Sequence, residues 1–443
     1  MEIDSTDEMG NFFFGFHDLI PWNSNGNRLA TLRIADISTP PKTHVFCDFG
    51  FIENRKFIKL GETYAYNFPQ GARQQWVGNS NFLIINDKFE DKWISKVYDT
   101  DSLRQTSLLQ YPAHVITDDG WAFGLNYSRL FRVGGYGYTG LRDITASHHA
   151  PSTDGIIKHN IYTGESHLLV SIHTVASFEA NLNAGKHHYI THLVLNPNQD
   201  RIAFLHRCKL SDGGETTRLM TIGCDGSNLR CLSSGFLSHF DWKNNYQIAI
   251  WGRVGTNIEA IRNSIFYRIM PTKLLFFIKY MVKSLISNYY PRKTLSSNSL
   301  FNWLVFSDED SPTCSLLADG ILSEDGHPSF CPTNRDWMIC DTYPNTEGIR
   351  TLYLFQYSTQ RKIDLGYYKM ISNKPDLASL GDSLENVEAS VIKSFKLDNL
   401  AFTRSGLHCD LHPRWNRNGT TVSFDSIHEG VRRIYEYNVG SIV

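Results

Sequence analysis

Several protein classes are excluded by what the 443-residue sequence lacks. Its most apolar stretch, 255–297, has no uninterrupted run approaching the ~20 apolar residues that a membrane-spanning helix needs. Basic and acidic residues nearly cancel, leaving a net charge of −2, so the chain has no basic excess of the kind that nucleic-acid-binding proteins carry. We therefore expect neither a transmembrane helix nor a nucleic-acid partner.

Cysteine pairs and nucleotide-binding or hydrolase motifs are also missing. The eight cysteines are scattered without a C-x-x-C pair, which argues against a zinc ribbon and, in so long a chain, against a disulfide framework. The sequence has no P-loop, no G-x-G-x-x-G after a strand, no G-x-S-x-G and no H-E-x-x-H. Its first ten residues are acidic and contain no apolar signal segment, so we expect a cytoplasmic protein.

A repeated β-rich unit is what the sequence does have. Each copy begins with a polar lead, often with histidine, followed by an Asn/Asp/Gly turn, an apolar strand, a polar loop and another strand. We find seven copies, at 17–34, 71–100, 114–172, 191–234, 237–253 (resuming near 300), 325–366 and 409–437. Repeats of this kind bury their faces only against their neighbours. The pattern predicts an all-β fold in which residues 1–443 form a single seven-bladed β-propeller.

One segment, residues 255–297 inside the fifth unit, departs from the repeat. Between Arg253 and Lys293 eight Lys/Arg face a single Glu, giving +7 in an otherwise balanced chain. We predict a basic, helical insertion broken at Pro271. It could cover the centre of the propeller, rest on an anionic membrane surface, or pack on the flank with its lysines in solvent. A membrane contact would place the protein peripherally at the inner membrane.

Histidine precedes the apolar strand in five different units. Because the units are related by rotation, equivalent positions should converge on the propeller axis. Converging imidazoles could form a metal site or an acid/base group. The alternative is that each histidine only bonds a turn carbonyl. These pre-strand histidines are His17, His192, His239, His327 and His412.

The best metal candidates are His327, Asp410 and His412. Residues i and i+2 of an extended strand point the same way, so Asp410 and His412 could share one ion. A nitrogen and oxygen donor set without cysteine suits Mn²⁺, Zn²⁺ or Fe²⁺. The predicted cofactor is thus a divalent metal, Mn or Zn.

Residues 187–255 and 320–440 resemble the last four blades of oligogalacturonate lyase and, more distantly, the seven-bladed propeller ulvan lyases. In such lyases a metal and basic side chains hold a uronate carboxylate while His or Tyr removes the α-proton. The resemblance implies that His239 is the general base and Arg218 an active-site arginine.

The resemblance also implies metal-binding roles for His327 and His412. The family's third metal-binding His falls on Asp410, and its metal-binding Gln falls on Leu407, so this site departs from the family pattern. For the ulvan-type His/Tyr/Arg set, the nearest counterparts are His192, Tyr189 and Arg207. Residues 125–138 resemble a stretch of uncharacterised propellers from bacterial surface-polysaccharide gene clusters.

These observations predict a polysaccharide lyase that cleaves a uronic-acid-containing glycan by β-elimination. The proton α to a carboxylate is weakly acidic, and neutralising the carboxylate with a cation or Arg stabilises the enolate-like transition state. A neutral His can then act as base, and Tyr136, Tyr138 or Tyr189 could protonate the leaving oxygen. The alternatives are a non-catalytic propeller that binds a glycan or protein, and another sugar-modifying enzyme such as a hydrolase.

Overall fold

The structure is a computed structural model that describes residues 2–178, 187–209, 215–254, 274, 301–318, 320–371, 384–394 and 404–443. Within these ranges the chain is almost entirely antiparallel β-structure, which confirms the predicted all-β class. Helical elements in the described chain are short and lie at the margins of the sheets: α1 (Tyr127–Arg132), α2 (Ile172–Ser177) and α3 (Ala389–Ser394).

The first three sheets are four-stranded, and each is built from consecutive strands in chain order. The first contains β2 (Asn11–Phe13), β3 (Arg28–Ile34), β4 (Cys47–Glu53) and β5 (Lys56–Thr63). The second contains β6 (Gln75–Trp76), β7 (Phe82–Phe89), β8 (Lys92–Asp99) and β9 (Arg104–Leu109). The third contains β10 (Val115–Ile116), β11 (Trp121–Gly124), β12 (Gly155–Asn160) and β13 (Ser166–Ser171).

The next sheet has seven strands because one long strand belongs to two repeats. Its strands are β14 (His187–Leu195), β15 (Arg201–Lys209), β16 (Glu215–Gly223), β17 (Arg230–Asn244), β18 (Gln247–Val254), β19 (Asn302–Ser307) and β20 (Cys314–Leu316). The first part of β17 pairs with β16, and its second part pairs with β18, with the change of partner at Gly235.

Two further four-stranded sheets complete the described chain. The first holds β21 (Ser329–Phe330), β22 (Trp337–Asp341), β23 (Ile349–Gln356) and β24 (Arg361–Lys369). The last holds β25 (Arg414–Trp415), β26 (Thr421–Ser426), β27 (Arg433–Asn438) and the N-terminal strand β1 (Glu2–Asp4). Since β1 pairs with β27, from Glu2 opposite Tyr437 to Asp4 opposite Tyr435, the two ends of the chain share one sheet.

An asparagine forms the same turn after the first strand in several repeats. The side-chain oxygens of Asn23, Asn196 and Asn416 each accept hydrogen bonds from the backbone N–H groups four and five residues later, at 2.9–3.1 Å. Such side-chain-to-backbone bonds are why asparagine favours turns. The Asn-rich turns of the sequence therefore set where each hairpin reverses.

Tryptophans at the ends of first strands join neighbouring sheets. The indole N–H of Trp76 donates to Pro21 O (2.8 Å), that of Trp242 to Val194 O (3.0 Å) and that of Trp415 to Ser329 O (2.8 Å). Each indole is buried. Each bond satisfies an indole N–H while the indole ring fills the space between two sheets. The bond and the packing together fix the first strands relative to one another.

The predicted helical insertion at 255–297 lies outside the described residues except for Leu274. Among the helices of the described ranges, none combines the length and the apolarity needed to cross a bilayer. The membrane contact and the cytoplasmic location stay predictions.

Candidate functional site

The structure brings the pre-strand histidines from five repeats together. The ring centres of His239 and His327 lie 4.1 Å apart, and those of His327 and His412 lie 4.2 Å apart. His17 lies 5.5 Å from His327. His192 joins the group through the Phe16 ring, whose centre lies 5.2 Å from His192 and 4.9 Å from His412. All five imidazoles are buried.

Two of these histidines, His192 and His412, have an unusual backbone conformation that sets the direction of their side chains. His192 and His412 have positive φ angles, 58° and 44°, a left-handed conformation that non-glycine residues seldom adopt. The β14–β15 pairing is interrupted between Thr191 and Val194, so His192 sits in an irregularity of its strand. Such strained residues persist where the surrounding structure holds them, often at functional sites.

Two further residues, Arg73 and His114, extend the cluster and were not predicted from the sequence. Arg73 stands three residues before Trp76, just as His239 stands three before Trp242, and His114 directly precedes β10. Both are buried. After burial, Arg73 and His192 help to lower the pKa of His114, and Arg73 is among the cations that lower the pKa of His192. The spacing to the strand tryptophan was the signal that would have identified Arg73.

Three residues of this cluster form a candidate metal site. The ligand atoms of His327, Asp410 and His412 all lie within 4.8 Å of one another, and all three residues are buried. Nδ1 of His412 lies 3.0 Å from the Gly15 carbonyl oxygen and so donates to it. This leaves Nε2 of His412 as the unprotonated nitrogen, which is buried and has no hydrogen-bond partner in the described chain.

Asp341 fixes His327 in the matching orientation. Its Oδ1 accepts from both Nδ1 and the backbone N–H of His327, each at 2.8 Å. Its Oδ2 accepts from the backbone N–H groups of Leu411 and His412, at 3.1 and 3.2 Å. Burial alone would lower the pKa of His327, but Asp341 and other carboxylates raise it. A carboxylate behind a ligating histidine is the usual outer support of a metal site.

Asp410 is paired with two arginines and also lies beside histidines. It forms a short ion pair with Arg350, its Oδ2 lies 3.2 Å from Nη1 of Arg404, and its Oδ1 lies 3.4 Å from Nε2 of His408. Burial opposes ionisation of this carboxyl, but Arg350, His408 and Arg404 hold its pKa well below the usual range. Asp410 is therefore an anion.

The residues present fit a divalent metal. Two imidazole nitrogens and one carboxylate converge. The orphaned Nε2 of His412 needs a partner because leaving a buried polar atom unpaired costs about 1–3 kcal/mol. Asp410 retains lone pairs beyond those used by the arginines. The donor set of nitrogen and oxygen is suited to Mn²⁺ or Zn²⁺.

His239 lies beside this triad in a different chemical setting. Its Nδ1 is 3.0 Å from Oδ1 of Asp325 and 3.2 Å from Oγ of Ser238. Burial, reinforced by His327, lowers the pKa of His239, so the ring is neutral at neutral pH. With Nδ1–H directed to Asp325, Nε2 carries the free lone pair.

Two half-buried tyrosines border the cluster, Tyr136 and Tyr343. The Tyr136 ring lies 5.5 Å from His192, and the Tyr343 ring lies 5.9 Å from His239 and 5.8 Å from His327. Burial raises the pKa of both hydroxyls. Asp410 and Asp325 add to this rise at both tyrosines and Arg404 opposes it at both, but Arg207 opposes it at Tyr136 as well. The pKa of Tyr343 is raised further, so Tyr136 is the stronger acid of the two.

The predicted set Arg207, Tyr189 and His192 is partly assembled. Tyr189 and Arg207 face each other across β14 and β15, and both bind Glu215: the Tyr189 hydroxyl donates at 2.5 Å, and Nη1 of Arg207 lies 3.3 Å away. Arg207 also depresses the pKa of His192, after burial. Tyr189 is thus committed to Glu215, while Arg207 reaches the cluster.

Arg218 lies elsewhere. It is paired with His206 across β15 and β16, on the sheet face opposite to Arg207. Its Nε bonds His206 Nδ1 (3.1 Å), and its Nη atoms donate to the carbonyls of Phe178 (2.7 Å) and Val175 (2.6 Å) at the end of α2. These contacts give Arg218 a structural setting, away from the histidine cluster.

Two solved structures share this fold over nearly the whole chain. The oligogalacturonate lyase of Vibrio parahaemolyticus superposes with a TM-score of 0.56 at 12% identity, covering 99% of this chain and 93% of its own. An oligogalacturonate lyase in complex with manganese gives 0.55 at 11%, covering 99% and 92%. No protein-family model and no curated protein matches the sequence. The predicted likeness to the oligogalacturonate lyase fold is confirmed; the likeness to ulvan lyases stays a prediction.

Proposed function

We propose that the protein is a polysaccharide lyase that cleaves a uronic-acid-containing glycan by β-elimination. The observation that carries the proposal is the placement of a neutral, carboxylate-oriented imidazole, His239, 4.1 Å from the ring of His327, a member of the buried His327–Asp410–His412 group. The manganese complex of a structure with the same fold supports a metal at this group. A base beside a carboxylate-binding cation is what proton removal α to a carboxylate requires.

The proposed fold is a seven-bladed propeller. The seven-stranded sheet supplies two blades because β17 changes partner at Gly235 and serves as the outer strand of one repeat and the inner strand of the next. With the five four-stranded sheets, this gives the seven repeats counted in the sequence. The central position of the histidines follows from that arrangement.

His239 acts as the general base. Asp325 holds Nδ1–H, so Nε2 faces the substrate with its lone pair, and the lowered pKa keeps it unprotonated at neutral pH. Proton transfer to a positioned base contributes typically ~10²–10⁴-fold to the rate. His327, Asp410 and His412 would hold Mn²⁺ or Zn²⁺, which when bound neutralises the uronate carboxylate as a Lewis acid.

Tyr136 donates the proton to the leaving oxygen. Of the three predicted donors, Tyr138 is buried against Tyr127 (ring centres 4.1 Å apart) and its hydroxyl is bonded to Asn86, at 3.0 Å. Tyr189 is bonded to Glu215. Tyr136 is the half-buried one, and the cations beside it favour loss of its proton.

The test is formation of an unsaturated uronide, followed by its ultraviolet absorbance. Oligomers of galacturonate, glucuronate, mannuronate and guluronate would be incubated with the protein and Mn²⁺ or Zn²⁺, and with chelator as a parallel. We expect product from at least one glycan, loss of activity with chelator, and loss of ~10²-fold or more in His239→Ala. The matched control is His167→Ala, because His167 is exposed on β13. No product from any glycan would overturn the proposal and favour a binding propeller.

A further inference from the structure

We propose that Arg404 selects the substrate by binding a free sugar carboxylate through its Nε–Nη2 edge. The inference rests on the proposed function and adds the chemical form of the substrate: an unesterified uronate. It also moves the role that the sequence implied for Arg218 to a residue from another part of the chain.

One side of the Arg404 guanidinium contacts other side chains, and the other side has no hydrogen-bond partner among the described residues. Nη1 is 2.8 Å from His408 Nε2 and 3.2 Å from Asp410 Oδ2. Nε is buried and has no hydrogen-bond partner in the described chain, and Nη2 donates to no residue of the described ranges. Nε and Nη2 form one edge of the planar group, which matches the two oxygens of a carboxylate.

The charge balance leaves Arg404 available. Asp410 carries one negative charge and is shared by Arg350 and Arg404. Arg350 is fully committed, since its Nε contacts Met370 Sδ (2.9 Å) and its Nη1 donates to Thr342 O (3.0 Å). The half-buried Arg404 therefore has only a shared carboxylate as its ion-pair partner. A guanidinium edge with unused donors binds a carboxylate through charge-assisted hydrogen bonds.

The open edge lies where the substrate would be. Arg404 is among the charged neighbours that act on the hydroxyls of both Tyr136 and Tyr343, the two half-buried tyrosines of the site. Arg218, by contrast, spends all three donor positions on His206, Phe178 and Val175. Arg207 also has a buried Nε without a partner among the described residues, but Glu215 serves as its counter-ion. Arg404 combines an open Nε–Nη2 edge with a position beside both tyrosines.

A carboxylate and its methyl ester differ in negative charge and in the ability to accept two hydrogen bonds from the Nε–Nη2 edge of Arg404. The ester has no charge and cannot accept the paired, charge-assisted bonds, each of which is worth about 1.5–3 kcal/mol. Losing one such interaction corresponds to roughly 10- to 100-fold in kcat/KM. The enzyme should therefore prefer the free acid, and the preference should depend on Arg404.

The experiment compares kcat/KM on a free oligouronate and on its methyl ester, at saturating Mn²⁺, for wild type, Arg404→Gln and Arg404→Lys. We expect Arg404→Gln to lose ~10- to 100-fold on the acid and little on the ester, so that the acid/ester ratio collapses. Arg404→Lys keeps the positive charge but lacks the paired N–H donors of the guanidinium, so it should retain part of the wild-type acid/ester ratio. Arg361→Gln, an exposed arginine of β24, is the control.

An unchanged acid/ester ratio in active Arg404→Gln overturns the inference while leaving the lyase proposal intact. If wild type forms no product from any glycan, the proposed function fails, and Arg404 is then judged by calorimetric binding of the same acid and ester. Equal binding of the acid by wild type and Arg404→Gln would overturn it there. Mn²⁺ titration of each variant separates carboxylate binding from any change in metal affinity, and Arg404→Lys serves if the Gln variant fails to fold.

Discussion

Nδ1 of His327 lies 2.8 Å from Oδ1 of Asp341, and that oxygen also accepts the backbone N–H of His327. The same carboxylate reaches the backbone of His412 through its other oxygen, at 3.2 Å. One buried aspartate from β22 therefore orients two of the three proposed metal ligands, His327 just before β21 and His412 just before β25.

Asp341→Asn is expected to weaken metal binding by ~10- to 100-fold, because the amide lacks the charge that raises the basicity of His327 and replaces one accepting oxygen with a donor. Mn²⁺ titration by calorimetry measures this. Asp336→Asn is the control, since Asp336 bonds Gln356 and Ser358 at a distance from the histidines. Equal Mn²⁺ affinity in wild type and Asp341→Asn would contradict the outer-support role.

Asp410→Ala should destabilise the metal-free protein by about 3–5 kcal/mol, because it leaves the buried Arg350 without its counter-ion. Chemical denaturation with chelator present measures the loss. The double variant Asp410→Leu with Arg350→Met removes both charges and should recover most of it. A double variant no more stable than Asp410→Ala would argue against a coupled pair.

Glu215 should make stability depend on acid pH. Burial by itself raises the pKa of Glu215. Lys209 and Arg207 lower it by more than burial raises it, so the pKa falls from 4.5 to about 2. The ionised form is thus favoured in the folded state, so its contribution of about 3 kcal/mol is complete above pH 4.5 and is lost as the pH falls toward 2. The unfolding free-energy gap between wild type and Glu215→Gln should narrow over that range. A gap independent of pH would contradict this.

Replacing Gln70 measures whether its buried, unpaired side-chain amide lowers the free energy of unfolding or binds water or a ligand. Its Oε1 and Nε2 are both buried and lack hydrogen-bond partners in the described chain. If nothing binds them, Gln70→Leu should raise the free energy of unfolding by about 1–3 kcal/mol. Gln74→Leu should lower it, because Gln74 accepts from Ala72 N (3.1 Å) and donates to Phe14 O (2.6 Å). Destabilisation by Gln70→Leu would instead show that water or a ligand occupies the site.

Tyr136→Phe should reduce kcat on a free oligouronate by ~10²-fold or more, because the leaving oxygen then lacks its proton donor. Tyr343→Phe should cost less, since burial and the nearby charges raise the pKa of the Tyr343 hydroxyl further than that of Tyr136. Steady-state kinetics with both variants measures the difference. A larger loss in Tyr343→Phe would transfer the donor role to that residue.

The histidine pattern illustrates how far the sequence reached. Histidine before the strand in five repeats was visible as a spacing, and the structure brings these residues into one cluster. Arg73 at the equivalent position was missed because its side chain differs while its offset from Trp76 does not. Arg350 and Arg404 carry no such signal, because Arg350 lies at the start of β23 rather than before a first strand, and Arg404 lies in the segment that precedes β25.

The sequence by itself determined the all-β class, the turns at Asn23, Asn196 and Asn416, and the recurrence of histidine before the first strands, because these depend on local propensity and on a repeated spacing. Only the tertiary structure decided which arginine faces the histidines. Arg207 and Arg218 lie on neighbouring strands, yet the pleat of the sheet sends them to opposite faces. Arg404 lies at the site because Asp410 and His408, a few residues later in the chain, hold one edge of its guanidinium.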